Sequence, residues 1–171
     1  MKRVMFDTNI YGRMVEEQTH TLIVAKAANI KVYGSVVIRK ELRNASKKIK
    51  IAHEGVQRKI RIVLLILYDS IVHERTLPVT QQTDELAEQY FVAYKKFGGS
   101  EGHTAIFNDF ILVATATLNT LNIVYSNDRR TMLSEQAITA YSLINEIHGL
   151  QTPHFQSYHE LIRELERKNQ W

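Results

Sequence analysis

Two apolar segments of the sequence each end on a run of polar side chains that includes an aspartate. Val4-Met5-Phe6 leads directly into Asp7-Thr8-Asn9, and Ile123-Val124-Tyr125 leads into Ser126-Asn127-Asp128. A lone aspartate after a strand is ordinarily a turn residue or a helix cap. The carboxyl ends of parallel strands, however, meet at one edge of a sheet, where α/β proteins place their ligand sites. We therefore expect Asp7 and Asp128 to share a site.

Two further acids, Asp109 and Glu41, are candidates for the same site. Asp109 directly precedes residues 110–114, which are apolar on every face and therefore indicate a helix buried inside the fold. A carboxylate at the edge of such a core needs a partner, because burying a lone charge is costly. Glu41 follows the second predicted strand within a short helix. Its neighbours Lys40 and Arg43 are also typical of a solvated helix face, so that interpretation of Glu41 stays open.

Four carboxylates at one sheet edge would repel one another, and some of their pKa values would rise unless cations bind there. The sequence contains no cysteine, so only hard oxygen ligands are available in such a cluster. Oxygen ligands favour Mg²⁺ or Mn²⁺ over zinc. Ions held in this way activate water and neutralise the charge that develops on phosphate oxygens. The four acids therefore predict a metal site that cuts phosphodiester bonds.

Alternating strands and helices must position these acids. Strands are predicted at residues 4–6, 31–33, 123–125 and 153–155. Helices are predicted at 36–42 after a Ser35 cap, at 56–67, 83–97, 104–121 and 133–147, and after a capping box formed by Ser157 and Glu160. This alternation predicts an α/β sandwich around a short, mostly parallel sheet.

Length and composition set the broad class of the protein. The 171 residues have the length of one domain, and the 44% hydrophobic content is enough for a sizeable core. The formal net charge of +4 permits binding to nucleic acid but does not require it. The absence of cysteine fits a reducing compartment. The sequence opens on a strand pattern rather than a signal peptide, and its longest apolar run is too short for a bilayer. We therefore expect a cytoplasmic protein that does not enter the membrane.

Four segments, in this order and spacing, resemble the PIN domain family over nearly the whole chain. They are Asp7-Thr8-Asn9, Val36-Val37-Ile38-Arg39-Lys40-Glu41-Leu42, Asn108-Asp109-Phe110-Ile111-Leu112-Val113-Ala114-Thr115-Ala116 and Ser126-Asn127-Asp128-Arg129-Arg130. The resemblance implies a three-layer α/β/α fold and hydrolysis of RNA with one or two Mg²⁺ or Mn²⁺ ions. It implies that Asp7, Glu41, Asp109 and Asp128 are the catalytic metal ligands. It also implies that four polar residues orient these ligands without binding the metal: Thr8, Asn9, Ser126 and Asn127.

The resemblance also implies partners and a domain organisation. Many members of the family are toxins of prokaryotic toxin–antitoxin pairs, while others process RNA, so RNA, an antitoxin protein and a second copy of the chain are the expected partners. We expect residues 1–171 to form one PIN-like domain with an additional helical segment at about 136–171. The alternative is a PIN fold that has lost catalysis and binds RNA or protein. A phosphoacceptor domain is disfavoured, because a phosphatase of that class needs a second aspartate where Asn9 stands.

Basic residues are concentrated between positions 39 and 61, where nine lysines and arginines accompany only Glu41 and Glu54. One interpretation is the solvated face of amphipathic helices. The other is a surface that follows the phosphates of a bound RNA strand. The second interpretation predicts RNA contacts from Lys40, Arg43, Lys47, Lys48 and Lys50, and from Arg129 and Arg130 after Asp128. The last two residues are equally compatible with the start of a turn.

Overall fold

The computed structural model describes residues 1–19 and 30–167 of the chain. Its strands are β1 (Lys2–Phe6), β2 (Ile30–Ser35), β3 (Lys50–His53), β4 (Val56–Lys59), β5 (Thr76–Leu77), β6 (Ile123–Tyr125) and β7 (His154–Gln156). Its helices are α1 (Thr8–Glu16), α2 (Val36–Arg43), α3 (Ile60–Val72), α4 (Gln81–Lys96), α5 (His103–Leu118), α6 (Glu135–Ile147) and α7 (Tyr158–Arg167).

The central sheet has five strands in the order β5-β2-β1-β6-β7, and each of its pairings is parallel. β1 occupies the middle, and Val4, Met5 and Phe6 are at most 1% exposed, as expected for a parallel strand covered on both faces. Phe6 pairs with Tyr125, so the residues that follow the two strands lie at the same edge. The predicted three-layer α/β fold with a mostly parallel sheet is confirmed.

The helices that carry the candidate acids begin where the local sequence allows it. α2 starts after Ser35, whose side-chain oxygen accepts a hydrogen bond from the Val37 amide at 3.2 Å, and the predicted cap is therefore confirmed. α5 is buried on all faces from Phe110 to Thr117, as its apolar sequence predicted. Asp109 lies at the start of this buried stretch.

The predicted helix at 56–67 is wrong over its first turn. Residues 56–59 instead form β4, which pairs antiparallel with β3 to make a two-stranded hairpin outside the central sheet, and α3 begins only at Ile60. The turn residues Glu54 and Gly55 both have positive φ, at 52° and 77°. Two such residues form the tight turn that fits the twist of a hairpin, and Gly55 adopts that conformation at no steric cost. The basic segment is therefore not entirely helical, because its middle part, from Lys50 to Lys59, forms a hairpin between two helices.

Other predicted boundaries shift by a few residues. α4 begins at Gln81, two residues before the predicted start, because Thr80 and Thr83 form a capping box there. α5 ends at Leu118, not at residue 121, because Thr120 has a φ of 51°, which is incompatible with a continuing helix. α6 begins at Glu135 after a Ser134 cap. The short strand β5 was not predicted.

The C-terminal segment is built into the same fold. β7 extends the central sheet by pairing with β6, and Tyr158, Leu161 and Leu165 of α7 belong to the main hydrophobic core. The capping box of α7 is confirmed, since Ser157 and Glu160 exchange hydrogen bonds of 2.6 Å and 3.3 Å. Within residues 1–19 and 30–167, no helix is both long and apolar enough to cross a membrane.

Candidate active site

Asp7 stands at the end of the central strand and caps helix α1. One carboxylate oxygen accepts a hydrogen bond from the Thr8 amide at 2.7 Å. The other accepts from the side chains of Asn9 at 2.5 Å and Ser126 at 2.7 Å. The residue is only 6% exposed. Hydroxyl and amide donors from both strand ends therefore hold Asp7 in one orientation.

Ser126 and Asn9 connect the ends of β1 and β6. The Ser126 hydroxyl donates to Asp7 and accepts a hydrogen bond from the Asp128 amide at 3.0 Å. The Asn127 amide donates to the Asn9 side-chain oxygen at 3.1 Å. The side chain of Asn127 turns elsewhere and accepts from the Tyr158 amide at the start of α7 at 3.0 Å. Asn127 thus supports the junction with the C-terminal helix rather than a carboxylate directly.

Glu41 projects from α2 toward residues of two other elements. One of its carboxylate oxygens accepts a hydrogen bond from the Thr8 hydroxyl, and the other accepts from the Asn108 side-chain amide at 3.0 Å. Glu41 is half-buried, unlike its exposed neighbours Lys40 and Arg43. The interpretation of Glu41 as an ordinary solvated helix acid does not agree with these contacts.

Asp109 and Asp128 share one hydroxyl group. The Thr131 side-chain oxygen lies 2.5 Å from an Asp109 oxygen and 2.6 Å from an Asp128 oxygen. The second oxygen of Asp128 accepts from the amides of Arg130 and Thr131, both at 3.0 Å. Because a hydroxyl carries one proton, it donates to one carboxylate at a time. The carboxylate that receives no proton from Thr131 is still close to its oxygen, and this contact is favourable only when a proton or a cation lies between Asp109 and Asp128.

Burial and mutual repulsion shift the protonation of two of the acids. Burial raises the pKa of Asp7 to about 6. The hydrogen bonds from Ser126 and Thr8 lower this pKa in part, whereas the charges of Glu41 and Asp128 raise it further. Burial likewise raises the pKa of Asp109 to about 7, and the hydrogen bond from Thr131 only partly offsets it. The charges of Asp7, Asp128 and Glu41 also raise the pKa of Asp109, which places the four acids within electrostatic range of one another.

The four acids lack a basic partner among the described residues, since none of them takes part in an ion pair there. Nearby, the fully buried Tyr141 hydroxyl has no hydrogen-bond partner in the described part of the chain. Burial, and then the charge of Asp109, raise the pKa of Tyr141 well above its usual range. An oxygen-only donor set without a compensating cation fits a divalent ion. Within residues 1–19 and 30–167, however, no three acidic or histidine side chains form a ready metal cage.

The predicted RNA-binding residues fall into two groups. Lys40, Arg43, Lys47, Lys48 and Lys50 lie along the end of α2, the following loop and the hairpin, and all are exposed. Arg129 and Arg130 follow Asp128 and are also exposed, but the Arg130 guanidinium lies 3.3 Å from the Glu101 carboxylate. The two groups differ in their contacts, since among the described residues an ion pair is found only for Arg130.

Sequence reasoning missed three residues that contact the acids or their neighbours: Thr131, Asn108 and Glu101. Thr131 stands three positions after Asp128, a spacing at which an aspartate side chain commonly accepts backbone hydrogen bonds in a turn. That spacing indicates the backbone contact but not the second contact with Asp109. Asn108 adjoins Asp109 in the sequence, and only the packing of α5 beside α2 brings it to Glu41.

Comparison with known proteins identifies a matching family and related folds. The family model of the PIN domain matches residues 4–138. Among solved structures, VapBC2 from Rickettsia felis bound to a promoter DNA fragment has a TM-score of 0.58 at 12% identity, with 91% of this chain and 98% of that chain covered. FitAB bound to an IR36 DNA fragment has a TM-score of 0.57 at 16% identity, with 91% and 94% covered. DNA-bound VapBC from Salmonella typhimurium has a TM-score of 0.51 at 15% identity, with 92% and 99% covered.

A search of curated proteins found no significant match. The structural similarities, all under 25% identity, show a common fold. The family model covers most of the chain and includes the positions of all four acids. The chain therefore belongs to the PIN domain family, whose members are typically nucleases.

Proposed function

We propose that the protein is an endoribonuclease that hydrolyses RNA phosphodiester bonds with the help of Mg²⁺ or Mn²⁺. One observation carries the proposal: four carboxylates from separate elements lie within electrostatic range at the carboxyl edge of the sheet, without a basic partner in the described residues. Uncompensated acids of this kind are costly for a folded protein unless cations or protons occupy the site. Membership of a family of nucleases supports the same conclusion.

The chain's own residues have separate roles in this proposal. Asp7, Asp109 and Asp128 are the principal ligands, and Glu41 binds directly or through water, since Mg²⁺ usually keeps several waters. Thr8, Asn9 and Ser126 orient the carboxylates through the hydrogen bonds described above, as partners behind metal ligands commonly do. A bound divalent ion supplies an activated water and neutralises charge on the phosphate oxygens.

The test is the loss of cleavage on removing one acid. Asp7→Asn should abolish Mn²⁺-dependent cleavage of a labelled single-stranded RNA. The fold should be retained, because removing one of four mutually repelling charges does not weaken the metal-free protein. Asp84→Asn is the matched control, since Asp84 is an exposed acid in the first turn of α4. Wild-type activity in Asp7→Asn would show that the site is misassigned, and an unfolded Asp7→Asn would make Asp7 a structural cap.

A second candidate is a PIN fold that binds RNA or protein without catalysis. The presence of all four acids argues against this alternative. Calorimetric titration with Mn²⁺ separates the two. The nuclease binds Mn²⁺ with an affinity that falls in Asp7→Asn/Asp128→Asn, whereas the inactive module binds it weakly and equally in both proteins.

The biological role that we propose is that of the toxin in a toxin–antitoxin pair, acting in the cytoplasm as a homodimer. The similarity of its fold to chains of the FitAB and VapBC complexes supports an antitoxin protein as a partner. A small reading frame directly upstream, whose product co-purifies with this chain and blocks RNA cleavage, is the expected finding. An RNA-processing enzyme would have neither such an upstream reading frame nor an inhibitor that co-purifies with it.

A further inference from the structure

The β3–β4 hairpin concentrates positive charge on a small exposed surface. Its strands place Lys50 directly opposite Lys59, and Ile51 opposite Arg58. Lys47 and Lys48 lie in the loop that leads into it, and all four lysines are exposed. Among the described residues, none of these five cations takes part in an ion pair. We call Lys47, Lys48, Lys50, Arg58 and Lys59 the hairpin cations.

One residue pair of the hairpin, Lys50 with Lys59, destabilises the fold. Like charges directly opposite one another on an antiparallel pair destabilise it, and Lys50 and Lys59 are such a pair. The Nε of Arg58 is buried and has no hydrogen-bond partner in the described residues. A polyanion that contacts both strands would relieve the repulsion of the two lysines. These features are consistent with a surface that binds phosphate groups.

The hairpin follows, after a six-residue loop, the helix that carries one of the four acids. Helix α2 carries Glu41, and Lys40 and Arg43 lie in its last turn. The Ile60 amide donates a hydrogen bond of 2.9 Å to the Ile49 carbonyl, which closes the base of the hairpin at the start of α3. Along the chain, the hairpin cations therefore follow the exposed Lys40 and Arg43 after only a short loop. Arg130, which follows Asp128, is by contrast paired with Glu101.

The composition of the hairpin indicates what part of a nucleic acid it recognises. Residues 44–61 contain no phenylalanine, tyrosine or tryptophan. Proteins that hold unpaired bases stack them on aromatic side chains, and this segment offers none of these three. Lysine contacts to phosphates position a strand but carry no sequence information. The segment's one histidine ring, His53, is half-buried, so the exposed chemistry of the surface matches the backbone rather than the bases.

We propose that the hairpin binds the sugar–phosphate backbone of the RNA strand that the acids cleave, independently of base sequence. This inference rests on the proposed function for its choice of RNA as the ligand. Electrostatic complementarity, the unfavourable Lys50–Lys59 pair and the short loop that links the hairpin to α2 support it. Base preference, where the enzyme has one, then comes from surfaces other than the hairpin.

The test neutralises the cross-strand pair in the full-length protein. Lys50→Gln/Lys59→Gln is compared with Lys2→Gln/Lys31→Gln, a charge-matched control at the starts of β1 and β2, opposite the edge that carries the acids. Both are made in an Asp7→Asn background, so that RNA is bound but not cut. Fluorescence anisotropy follows labelled oligo(U) and a mixed-sequence RNA across a salt series without divalent ions.

We expect the hairpin variant to bind both RNAs more weakly at low salt, with the slope of log affinity against log salt flattened by about 1.4, or roughly 0.7 per lost phosphate contact. The control should keep the wild-type slope. Thermal unfolding should show that the hairpin variant is at least as stable as its parent, because the like-charge pair is removed. That readout separates lost binding from lost folding.

An unchanged slope in the hairpin variant, or weaker binding to only one of the two RNAs, would overturn the proposal. A change in the oligomeric state without a change in RNA affinity would overturn it too, and would make the hairpin a protein contact. If RNA binding depends on the hairpin but the wild type does not cleave RNA, the proposed function fails and the binding surface stands. If cleavage depends on Asp7 but RNA binding does not depend on the hairpin, the proposed function stands and the binding surface fails.

Discussion

The Thr131 hydroxyl joins two acids that come from different parts of the chain. Asp109 belongs to α5, whereas Asp128 follows β6, and the hydroxyl lies within 2.6 Å of an oxygen of each. In the proposed enzyme this contact sets the spacing of two carboxylates before an ion binds. Partners of this kind commonly change metal affinity without touching the metal.

Thr131→Val removes the hydroxyl and keeps the shape of the side chain. We expect Mn²⁺ affinity to fall by about 10-fold to 100-fold, the range typical of residues that orient metal ligands. Thr131→Ser keeps the hydroxyl and should restore most of the affinity. Isothermal titration calorimetry with Mn²⁺ measures both, and thermal unfolding in EDTA shows whether the valine variant is folded. Equal affinity in the wild type and Thr131→Val would limit Thr131 to a role in the turn.

Asp109 makes a second prediction at the residue scale, for the cation-free protein. Its pKa in the folded chain is raised from 3.8 to about 7, mainly by burial, so the folded state holds a proton that the unfolded chain has already released. Protonation therefore favours folding, and this contribution is lost as pH rises from about 4 to about 7.

The comparison of the wild type with Asp109→Asn isolates this contribution, because other titrating groups are shared. In EDTA, the free energy of unfolding of the wild type relative to Asp109→Asn should fall between about pH 4 and pH 7 and level off above. Denaturant titrations at several pH values measure the difference. A difference that is constant with pH, or that rises, would contradict the burial of an uncompensated Asp109.

At the scale of elements, the junction of β2 and α2 positions Glu41. Gly34 is the penultimate residue of β2, and a Cβ added there would lie 1.9 Å from the Tyr68 hydroxyl oxygen. Tyr68 is fully buried, and its hydroxyl lies 2.8 Å from the Thr76 hydroxyl and donates to the Ser35 carbonyl at 3.3 Å. The ring therefore has little freedom to move away. Only glycine fits where α3 packs behind the start of α2.

Gly34→Ala should accordingly lower the free energy of unfolding by about 1–3 kcal/mol, the usual cost of overpacking. Gly12→Ala is the matched control, because Gly12 lies inside α1 and an added Cβ meets no atom within 4 Å. That change should stabilise the protein by about 0.5–1 kcal/mol, since alanine is the better helix former. Chemical denaturation gives both values. Equal effects of the two substitutions would show that Tyr68 yields to the added methyl group.

At the scale of the whole molecule, the candidate metal site exists only when the chain is folded. Asp7 follows β1, Glu41 lies in α2, Asp109 in α5 and Asp128 after β6, so the unfolded chain does not bring them together. A ligand that binds only the folded state stabilises it by mass action, by about 2.7 kcal/mol at a concentration 100 times its Kd.

Millimolar Mn²⁺ should therefore raise the unfolding temperature of the wild type, and the increase should be absent in Asp7→Asn/Asp128→Asn. Differential scanning fluorimetry at fixed pH measures the shift, and a titration with Ca²⁺ compares a larger ion. An equal increase in both proteins would indicate nonspecific binding and would contradict a shared site.

Much of the architecture was predictable because its signals are local. The apolar run of β1 and the all-round apolar sequence of α5 indicate burial directly, and Ser35 and Ser157 mark helix starts by their own hydrogen-bonding capacity. The polar residues after β1 and β6 predicted that Asp7 and Asp128 lie at one edge, and the register of Phe6 with Tyr125 agrees. The assignment of the four acids as metal ligands stays a prediction.

The sequence by itself determined the parallel α/β fold and the order of the four acids, since these follow from periodicity and from short-range patterns. Only the tertiary structure decided the hairpin, because Val56 fits a helical period as well as a strand and the positive φ values of Glu54 and Gly55 settle the choice. It also decided that Thr131 reaches Asp109 and that Arg130 pairs with Glu101. Such contacts join residues far apart in sequence, and their formation depends on how helices pack rather than on any local pattern.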